Sequence, residues 1–352
     1  MVRDLDMVSG IWYSSVTDSR LEALTQYVKS IILDDKVMLL SLNGDASFRR
    51  YFRVLNKNLI AVDAPPKTQK NKEFVAIDTA LSKVGITVPK LVAYDFDKGF
   101  MLISDLGDKT FAKASAQGDK LYYYQKAISL LPTIAAIDLE LPLFDKKFIE
   151  FELSLFDTWM LDKALNVKLT EQEQNDLKES YDFLAYYCLT QEQCAMHRDF
   201  HSRNLMVCGE GENEALAVID FQDMVKGPVL YDLASLLFDC YVVLDKELLT
   251  KLKQYAYDSF KQKGYLKNKS YDEFCYELTL TSLQRHVKVL GIFCRLSLRD
   301  GKNAYLKDLP RVINYVLDEC NADKRLDKLK TIIEKYVVGS SNEGNDFGCR
   351  TW

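Results

Sequence analysis

The segment "MHRDFHSRNLMV", from Met196 to Val207, holds two of the three histidines of the chain together with Asp199 and Asn204. Histidine changes its charge near neutral pH, and carboxylates and carboxamides are the oxygen ligands that hard cations prefer. Scarce imidazoles, a carboxylate and a carboxamide in one short stretch are typical of a reactive site. The segments that follow indicate which chemistry this site performs.

Two short apolar runs flank a polar loop directly after this segment. Leu205 to Cys208 reads as an outgoing strand, and Leu216 to Ile219 reads as the returning strand. Paired Cα atoms across an antiparallel ladder lie about 4.5–5.5 Å apart. Asn204, before the first strand, and Asp220, after the second, are therefore expected to be neighbours. Asp223 follows three residues later and can reach the same space.

The oxygen donors of Asn204, Asp220 and Asp223 suit Mg²⁺, which usually keeps several waters and bridges phosphate oxygens. Asp199 lies five residues before Asn204, where it would face whatever the metal holds. In phosphoryl transfer, metal ions neutralise charge on the γ-phosphate while an aspartate accepts the proton of the attacking hydroxyl. The spacing therefore predicts Asp199 as general base, with Asn204, Asp220 and Asp223 as metal ligands.

The order His197-Arg198-Asp199, then Asn204, then Asp220-Phe221 resembles the catalytic core of eukaryotic-like kinases. The glycine of the kinase D-F-G motif is replaced in "DFQD", which points away from protein kinases. The chain is similar to the aminoglycoside phosphotransferase and choline kinase superfamily of small-molecule kinases. Within it, several segments look like the anomeric kinases of cell-wall amino sugars: "GDASFRRYFRV", "VDAPP", "HRDFHSRNLMV", "VIDFQDMVKGPVLYDLASLLFDCY", "RHVKVLGIFCRLSLRDGK" and "YLKDLPR".

Those enzymes phosphorylate the C1 hydroxyl of N-acetylmuramate or N-acetylglucosamine in peptidoglycan recycling. The resemblance implies an α+β, two-lobed protein-kinase-like fold with a small β-rich N-lobe and a larger, mainly helical C-lobe. It also implies ATP and Mg²⁺ as cofactors and a small-molecule sugar as substrate. Two alternatives stay open: an aminoglycoside or choline-like amino alcohol as acceptor, or a pseudokinase that binds nucleotide without turnover.

The resemblance suggests further roles around the catalytic segment. His197 would brace the catalytic loop. His201 stands where protein kinases place a phosphate-contacting lysine, so we count it as catalytic together with Asp199 and Asn204. Asp232 reads as a helix N-cap, and its role in the family is to tie down the catalytic loop.

Two departures from the kinase pattern concern the nucleotide. "IAVDAPP" places Asp63 where kinases have a lysine, and the phosphate-covering loop has one glycine, Gly44. Because an aspartate repels phosphate, another cation must help. Three arginines follow that loop, with Arg49 and Arg53 on one strand face and Arg50 on the other. Adenine is expected at the hinge backbone, and the nucleotide-binding candidates are Gly44, Ser47, Arg49, Arg50, Ile103 and Asp105.

A row of cationic residues near the C-terminus bears on the charge of the acceptor substrate. Arg285, Lys288, Arg295 and Arg299 recur on one helical face. This is either a solvated charged face or a set of cations that bind an anionic substrate, such as the lactyl carboxylate of N-acetylmuramate. The candidate substrate residues are Arg285, Lys288 and Arg295, with Asp199 and Asp223.

Hydrophobic periodicity divides the chain into three parts. Residues 1–107 are expected to form the nucleotide-binding N-lobe, with an N-terminal helix opened by a capping box at Ser19 and an antiparallel sheet. Residues 108–338 are expected to form the helical C-lobe with the catalytic loop and the metal hairpin. Residues 339–352 are expected to be a flexible tail.

The composition is typical of a globular protein. Apolar residues make up 48% and charged residues 28% of 352, and the formal net charge of −5 argues against a nucleic-acid or anionic-membrane binder. No membrane-length apolar run and no signal core are present, so a cytoplasmic protein is expected, with no obligate protein partner evident. The eight cysteines show no C-x-x-C spacing and read as free thiols.

Overall fold

A computed structural model of the chain describes residues 18–42 and 49–339. Gly44, Ser47 and residues 340–352 of the expected tail therefore lie outside the described residues. The chain divides into two compact units, one from residues 1–71 and 90–105 and the other from residues 72–89 and 106–352. Residues 72–89, which we expected in the N-lobe, group with the second unit.

Among its described residues, the first unit is a five-stranded antiparallel sheet with one helix. Its elements are α1 (Ser19–Ile32), β1 (Leu39–Leu42), β2 (Arg50–Val54), β3 (Leu59–Asp63), β4 (Leu91–Asp95) and β5 (Phe100–Ser104), with the strand order β1-β2-β3-β5-β4. Helix α1 packs Leu24 and Val28 against Phe52, Ala61 and Leu102 of the sheet. Burying aliphatic side chains in this way stabilises each by roughly 1.5–3 kcal/mol.

Helix α1 begins one residue earlier than the predicted capping box. Asp18 is the N-cap, and its carboxylate accepts a hydrogen bond of 3.0 Å from the backbone N–H of Leu21. Ser19 is the first helical residue instead. Aspartate and serine are about equally good N-caps, so adjacent candidates cannot be ranked by propensity alone.

The second unit is mainly helical. Its helices are α2 (Asn71–Lys83), α3 (Phe111–Gln117), α4 (Lys120–Ala135), α5 (Lys146–Leu155), α6 (Glu171–Thr190), α7 (Tyr231–Leu237), α8 (Lys246–Gln262), α9 (Tyr271–Asp300), α10 (Leu309–Cys320) and α11 (Asp327–Ile333). Shorter 3₁₀ segments are Gly211–Asn213, Asn303–Asp308 and Lys324–Leu326, and π-helical segments are Phe156–Ala164 and Glu334–Val338. Within the described ranges, no helix combines the length and apolar character that crossing a bilayer requires.

Two small antiparallel pairs interrupt these helices: β6 (Gln193–Met196) with β9 (Val225–Pro228), and β7 (Leu205–Cys208) with β8 (Ala215–Val218). The hairpin β7–β8 was predicted. We did not predict the pair β6–β9, because "VKGP" shows no alternation and contains both Gly and Pro, which are depleted in strands. In the sequence, β6 precedes and β9 follows residues 197–224, which hold most of the catalytic segment. Their pairing therefore brings the two ends of this stretch together.

Helix α9 is the centre of the second unit. It begins with a capping box between Ser270 and Glu273 and ends at Gly301, whose φ of 68° is the left-handed conformation that favours glycine. Gly291 lets α9 approach the end of α5, because a Cβ there would lie 2.2 Å from the backbone carbonyl oxygen of Leu155.

Candidate active site

Asn204 and Asp220 lie side by side at the open end of the hairpin β7–β8. The register pairs Leu205 with Val218, and one step further the backbone N–H of Ile219 donates to the carbonyl of Asn204 at 3.1 Å. The side-chain amide of Asn204 lies 3.4 Å from a carboxylate oxygen of Asp220. The hairpin therefore produces the predicted juxtaposition.

Asp199 joins this pair from the loop that precedes the hairpin. The side-chain amide of Asn204 donates a hydrogen bond of 2.9 Å to the backbone carbonyl of Asp199. The backbone N–H of Asp199 in turn donates to Nδ1 of His197 at 3.3 Å. These two bonds restrain the backbone N–H and the carbonyl of Asp199, the first against His197 and the second against Asn204.

The carboxylate of Asp199 is half-buried among cations. Burial alone would raise its pKa, but Lys288 and, in decreasing order, His201, Arg198 and Arg285 outweigh that effect and lower the pKa of Asp199 to about 2. Asp199 is therefore ionised at neutral pH. An ionised carboxylate can only accept hydrogen bonds, which is what a group facing a substrate hydroxyl must do.

Asp220 occupies an uncommon backbone conformation at the end of the hairpin. Its φ is 63°, a left-handed value that few residues other than glycine adopt. The carboxylate is exposed, and the side-chain amide of Gln222 donates to it at 2.7 Å. Backbone strain of this kind costs energy and persists where the surrounding structure enforces it, often at functional sites.

The chemistry of this donor set fits a magnesium ion. Across the described ranges, no three His, Cys, Asp or Glu side chains gather into a group able to hold a metal by themselves. Asp220 nevertheless provides a carboxylate and Asn204 an amide oxygen, with the amide nitrogen of Asn204 3.4 Å from that carboxylate, and Mg²⁺ in nucleotide enzymes needs only one or two protein ligands besides phosphate. Asp223 does not complete a three-acid cluster, and its backbone carbonyl accepts a bond from Arg198 at 3.4 Å.

His197 braces the loop in one defined tautomer. Its Nδ1 accepts from the backbone N–H of Asp199, so Nε2 carries the proton and donates to the carbonyl of Ile219 at 3.0 Å. Ile219 directly precedes Asp220. The imidazole therefore links the backbone next to Asp199 with the backbone next to Asp220.

Asp232 ties down the start of the catalytic loop. Its two carboxylate oxygens accept from the backbone N–H groups of His197 at 2.7 Å and of Arg198 at 2.9 Å. Arg198 has a φ of 76°, so these bonds hold a strained residue in place. The predicted N-cap at Asp232 is wrong, because α7 is capped by Leu230 and Asp232 lies in its first turn.

Glu152 of α5 contacts the catalytic loop, which the sequence did not reveal. Its buried carboxylate accepts from the guanidinium of Arg198 at 2.9 Å and from the amide of Gln284 at 3.2 Å. The Lys288 ammonium lies 3.5 Å from it and also donates to the hydroxyl of Tyr231 at 2.8 Å. Glu152 thus connects the catalytic loop to helix α9.

Asp239 is a second residue that sequence reasoning missed. Its carboxylate, 1% exposed, accepts from the backbone N–H of Ser202 at 2.9 Å and from that of Tyr241 at 2.7 Å. The preceding carbonyl, of Phe238, accepts a hydrogen bond of 2.9 Å from Nε2 of His286. Asp239 therefore holds the middle of the catalytic loop, as Asp232 holds its start.

Aromatic rings surround the end of the catalytic loop. The rings of His201 and Tyr241 meet edge to face, with centroids 5.3 Å apart. The guanidinium of Arg203 lies over the ring of Tyr241 at 3.5 Å and near that of Tyr305 at 5.7 Å. Burial lowers the pKa of His201 from its ordinary value, so the imidazole is neutral at pH 7 and differs in charge from the lysine of protein kinases.

The three candidate substrate cations have different surroundings. Arg285 is 2% exposed and Lys288 is 4% exposed, so neither belongs to a solvated face. Lys288 is engaged by Glu152 and Tyr231. Arg295 is half-buried, and the exposed Arg299 pairs with Asp300 at 2.7 Å. The row of cations is thus buried at its start and solvated at its end.

In the first unit, two arginines neutralise the negative charge of Asp63, so this charge does not act against a bound phosphate. Nε of Arg20 and Nε of Arg50 each donate to its carboxylate at 2.9 Å, and Arg50 also pairs with Asp18. Arg50 and Asp63 are directly paired across β2 and β3, on the sheet face that carries Phe52 and α1. We therefore expect Arg50 to hold α1 on the sheet rather than bind phosphate, which revises the prediction for Arg50.

The other candidate nucleotide-binding residues in the first unit differ in their burial and in their hydrogen-bond partners. Arg49 is 4% exposed and donates to the side-chain oxygen of Asn71 at 3.4 Å. Asp105 accepts from Arg53 at 2.5 and 3.1 Å. Ile103 is a buried residue of β5. The structure thus gives Asp105 a cationic partner and leaves the hinge backbone as the expected contact for adenine.

Solved structures of similar fold include two small-molecule kinases. A choline kinase from Streptococcus pneumoniae superposes with a TM-score of 0.58 at 15% identity and covers 86% of this chain and 100% of that one. An ADP-bound aminoglycoside phosphotransferase gives a TM-score of 0.56 at 15% identity, covering 85% of this chain and 98% of that one. These likenesses confirm the predicted kinase-like fold.

Sequence comparison identifies nearer relatives. The N-acetylmuramate/N-acetylglucosamine kinase of Pseudomonas aeruginosa is 34% identical over 282 residues, covering 79% of this chain and 82% of that protein. The protein of the same name from Neisseria meningitidis serogroup B is 33% identical over 285 residues, covering 78% of this chain and 83% of that protein. A family model described as the phosphotransferase enzyme family matches residues 39–263. The chain therefore belongs to the phosphotransferase enzyme family.

Proposed function

We propose that this chain is an ATP- and Mg²⁺-dependent kinase that phosphorylates the anomeric C1 hydroxyl of N-acetylmuramate or N-acetylglucosamine during peptidoglycan recycling. The observation that carries the proposal is the meeting of Asp199, Asn204 and Asp220 through hydrogen-bond distances of 2.9 and 3.4 Å. Relatives at 33–34% identity that are named as kinases of these two sugars support the acceptor class.

Asn204 and Asp220 would hold the magnesium ion. Asn204 offers its amide oxygen and Asp220 its carboxylate, and the side-chain amide of Gln222 donates to that carboxylate at 2.7 Å. When bound, the ion supplies positive charge that neutralises the phosphate oxygens during transfer. The chain fixes the spacing between the two ligands, and the hairpin sets their distance from Asp199.

Asp199 would orient the sugar hydroxyl and accept its proton. The pKa of about 2 keeps the carboxylate ionised over the physiological range. A carboxylate this acidic is a weak base towards a free hydroxyl, so its main contribution is to hold the attacking oxygen in line, and the proton moves as the bond to phosphorus forms. Positioned general bases typically contribute 10²–10⁴-fold to the rate.

In the first unit, we assign Arg49 to the phosphates and the backbone around Ile103 to adenine. Arg49 is buried directly before β2, where its guanidinium donates to the side-chain oxygen of Asn71. His201 and Tyr241, beside Asp199, would line the acceptor side of the reaction in the second unit.

Phosphorus NMR of the products from a mixed panel of sugars tests the proposal. We expect a phosphate coupled to the anomeric proton of N-acetylmuramate or N-acetylglucosamine. In Asp199→Asn, turnover should fall at least 10²-fold while Mg²⁺-nucleotide binding persists. The matched control is Asp258→Asn on the exposed surface of α8. Phosphate on C6, or on none of the sugars, would contradict the proposal, and nucleotide binding without turnover would identify a binding module instead.

A further inference from the structure

The guanidinium of Arg285 is a buried cation without hydrogen-bond partners on two of its nitrogens. The residue is 2% exposed, and Nε and Nη1 meet no acceptor among the described residues. A buried N–H group that forms no hydrogen bond carries its full desolvation penalty, which is larger for a charged group. Such a group in a folded protein calls for an explanation, and an acceptor carried by a ligand would complete it.

Arg285 lies on the side of the second unit that contains Asp199. It precedes Lys288 by three residues on α9, so both side chains share one helical face. The guanidinium carbon of Arg285 is 5.8 Å from the ring centroid of Tyr231, whose hydroxyl accepts from Lys288 at 2.8 Å. The charges of both cations act on Asp199 and help to keep it ionised. Arg285 therefore faces the neighbourhood of the proposed base.

Neighbouring cations have carboxylate partners that Arg285 does not share. Arg198 donates to Glu152 at 2.9 Å, and Lys288 lies 3.5 Å from the same carboxylate. Asp239, the other buried carboxylate nearby, is occupied by two backbone N–H groups. Arg295 lies ten residues further along α9, about 15 Å away at the helical rise per residue. Among the described residues, Glu152 and Asp239 are thus engaged elsewhere, and an added acceptor can satisfy Arg285 without displacing these bonds.

We propose that Arg285 is a specificity-determining residue that receives a carboxylate carried by the acceptor, so that the site favours an acidic amino sugar over its neutral counterpart. A guanidinium matches a carboxylate in geometry and binds it by charge-assisted hydrogen bonds. A site built around such a donor disfavours an analogue that lacks the acceptor, because the buried N–H groups then stay unpaired. This inference rests on the proposed function and names the part of the substrate that Arg285 recognises.

N-acetylmuramate and N-acetylglucosamine are a matched pair for the test, because they differ only in the lactyl group that carries the carboxylate. We would measure kcat/KM for both sugars in the wild type, Arg285→Met and Arg285→Lys. The control is Arg299→Met on the same helix, whose side chain is 56% exposed and pairs with Asp300. The thermal shift that each sugar produces without nucleotide gives a second readout that does not depend on turnover.

We expect Arg285→Met to lose roughly 10- to 100-fold in kcat/KM for N-acetylmuramate and less than about threefold for N-acetylglucosamine. Arg285→Lys should show an intermediate loss, and Arg299→Met should change neither. Equal losses on both sugars would overturn the inference and show that Arg285 only balances charge around Asp199. Should Arg285→Met fail to fold, unequal losses in Arg285→Lys support the inference and equal losses overturn it. A wild-type protein that phosphorylates neither sugar would instead contradict the proposed function.

Discussion

The side-chain amide of Asn204 donates a hydrogen bond of 2.9 Å to the backbone carbonyl of Asp199. This bond fixes which end of the carboxamide faces the backbone, because only the nitrogen can donate. The amide oxygen is then left for a cation beside Asp220, whose carboxylate lies 3.4 Å from the same nitrogen. A single side chain thus connects the backbone of the proposed base with the proposed metal ligand.

Substitution of Asn204 should therefore affect both the metal and the base. In Asn204→Ala we expect kcat to fall at least 10²-fold and the Mg²⁺ concentration for half-maximal activity to rise about tenfold or more. In Asn204→Asp the carboxylate can still bind a cation but cannot donate to the Asp199 carbonyl. Its Mg²⁺ requirement should stay closer to that of the wild type while kcat remains low.

Mg²⁺ titrations of the initial rate distinguish these two contributions. Asn321→Ala, on the surface after α10, is a control of the same residue type, and it should leave the Mg²⁺ dependence unchanged. An Asn204→Ala variant with wild-type Mg²⁺ dependence would rule out Asn204 as a metal ligand.

Local sequence separation explains which parts of the site were predictable. Asn204 and Asp220 are joined by one short hairpin, so the strand pattern alone places them together. The catalytic spacing from Asp199 to Asn204 is likewise contained in one loop. The expectation of a kinase-like fold followed from the order of Asp199, Asn204 and Asp220 along the chain, which resembles the kinase core.

Contacts between distant segments were not predictable from the sequence. Glu152 meets Arg198 across 46 residues, and Asp239 meets Ser202 across 37. Both are acidic residues among apolar neighbours, for which an exposed position is the ordinary interpretation. Only tertiary packing shows that both are buried and that their oxygens accept from the catalytic loop. The partners of Asp63 were missed for the same reason, since Arg20 lies 43 residues away.

Asp239 should behave as a positioning residue in kinetics. Its carboxylate accepts two backbone N–H groups, whereas the side chain of Asp239→Asn has one acceptor oxygen for the same two donors. We expect kcat to fall about tenfold or more, with KM for the nucleotide unchanged. The free energy of unfolding should fall by about 1–3 kcal/mol, since one buried N–H loses its partner.

The split between kcat and KM distinguishes positioning from general loss of structure. Asp258→Asn, exposed on α8, should change neither quantity. A stable Asp239→Asn variant with wild-type kcat would show that the loop keeps its geometry without this carboxylate.

Restoring the kinase lysine at position 63 should harm the protein. Asp63 is buried between Arg20 and Arg50, whose side chains are 39% and 38% exposed. In Asp63→Lys three cations would converge, and we expect a loss of roughly 1–3 kcal/mol in the free energy of unfolding after allowing for solvent screening of the arginines. Urea unfolding and kcat should both be measured, with Asp63→Asn as the milder control. A stable Asp63→Lys variant with higher kcat would instead mean that position 63 faces the phosphates.

The buried pair of His286 and Glu319 should make stability depend on pH. Both imidazole nitrogens act as donors, Nδ1 to Glu319 at 2.9 Å and Nε2 to the Phe238 carbonyl at 2.9 Å, so the ring is an imidazolium. Burial alone would lower the pKa of His286, but the carboxylate of Glu319 outweighs it and raises the pKa to about 10. A histidine in the unfolded chain has a pKa of about 6.5.

The sign of the effect follows from proton binding in the two states. Below about pH 6.5 the imidazole of His286 carries the proton in both the folded and the unfolded state, and its contribution to the free energy of unfolding is complete. As the pH rises towards 10, the unfolded chain binds fewer protons than the folded one, so the free energy of unfolding falls. Glu319→Gln should cost about 3–5 kcal/mol at pH 6, because it leaves a buried cation without its partner. It should also remove much of the decline between pH 6.5 and 9, which urea unfolding of wild type and variant at each pH would measure. Parallel pH profiles for the two proteins would show that His286 is not held as an imidazolium by Glu319.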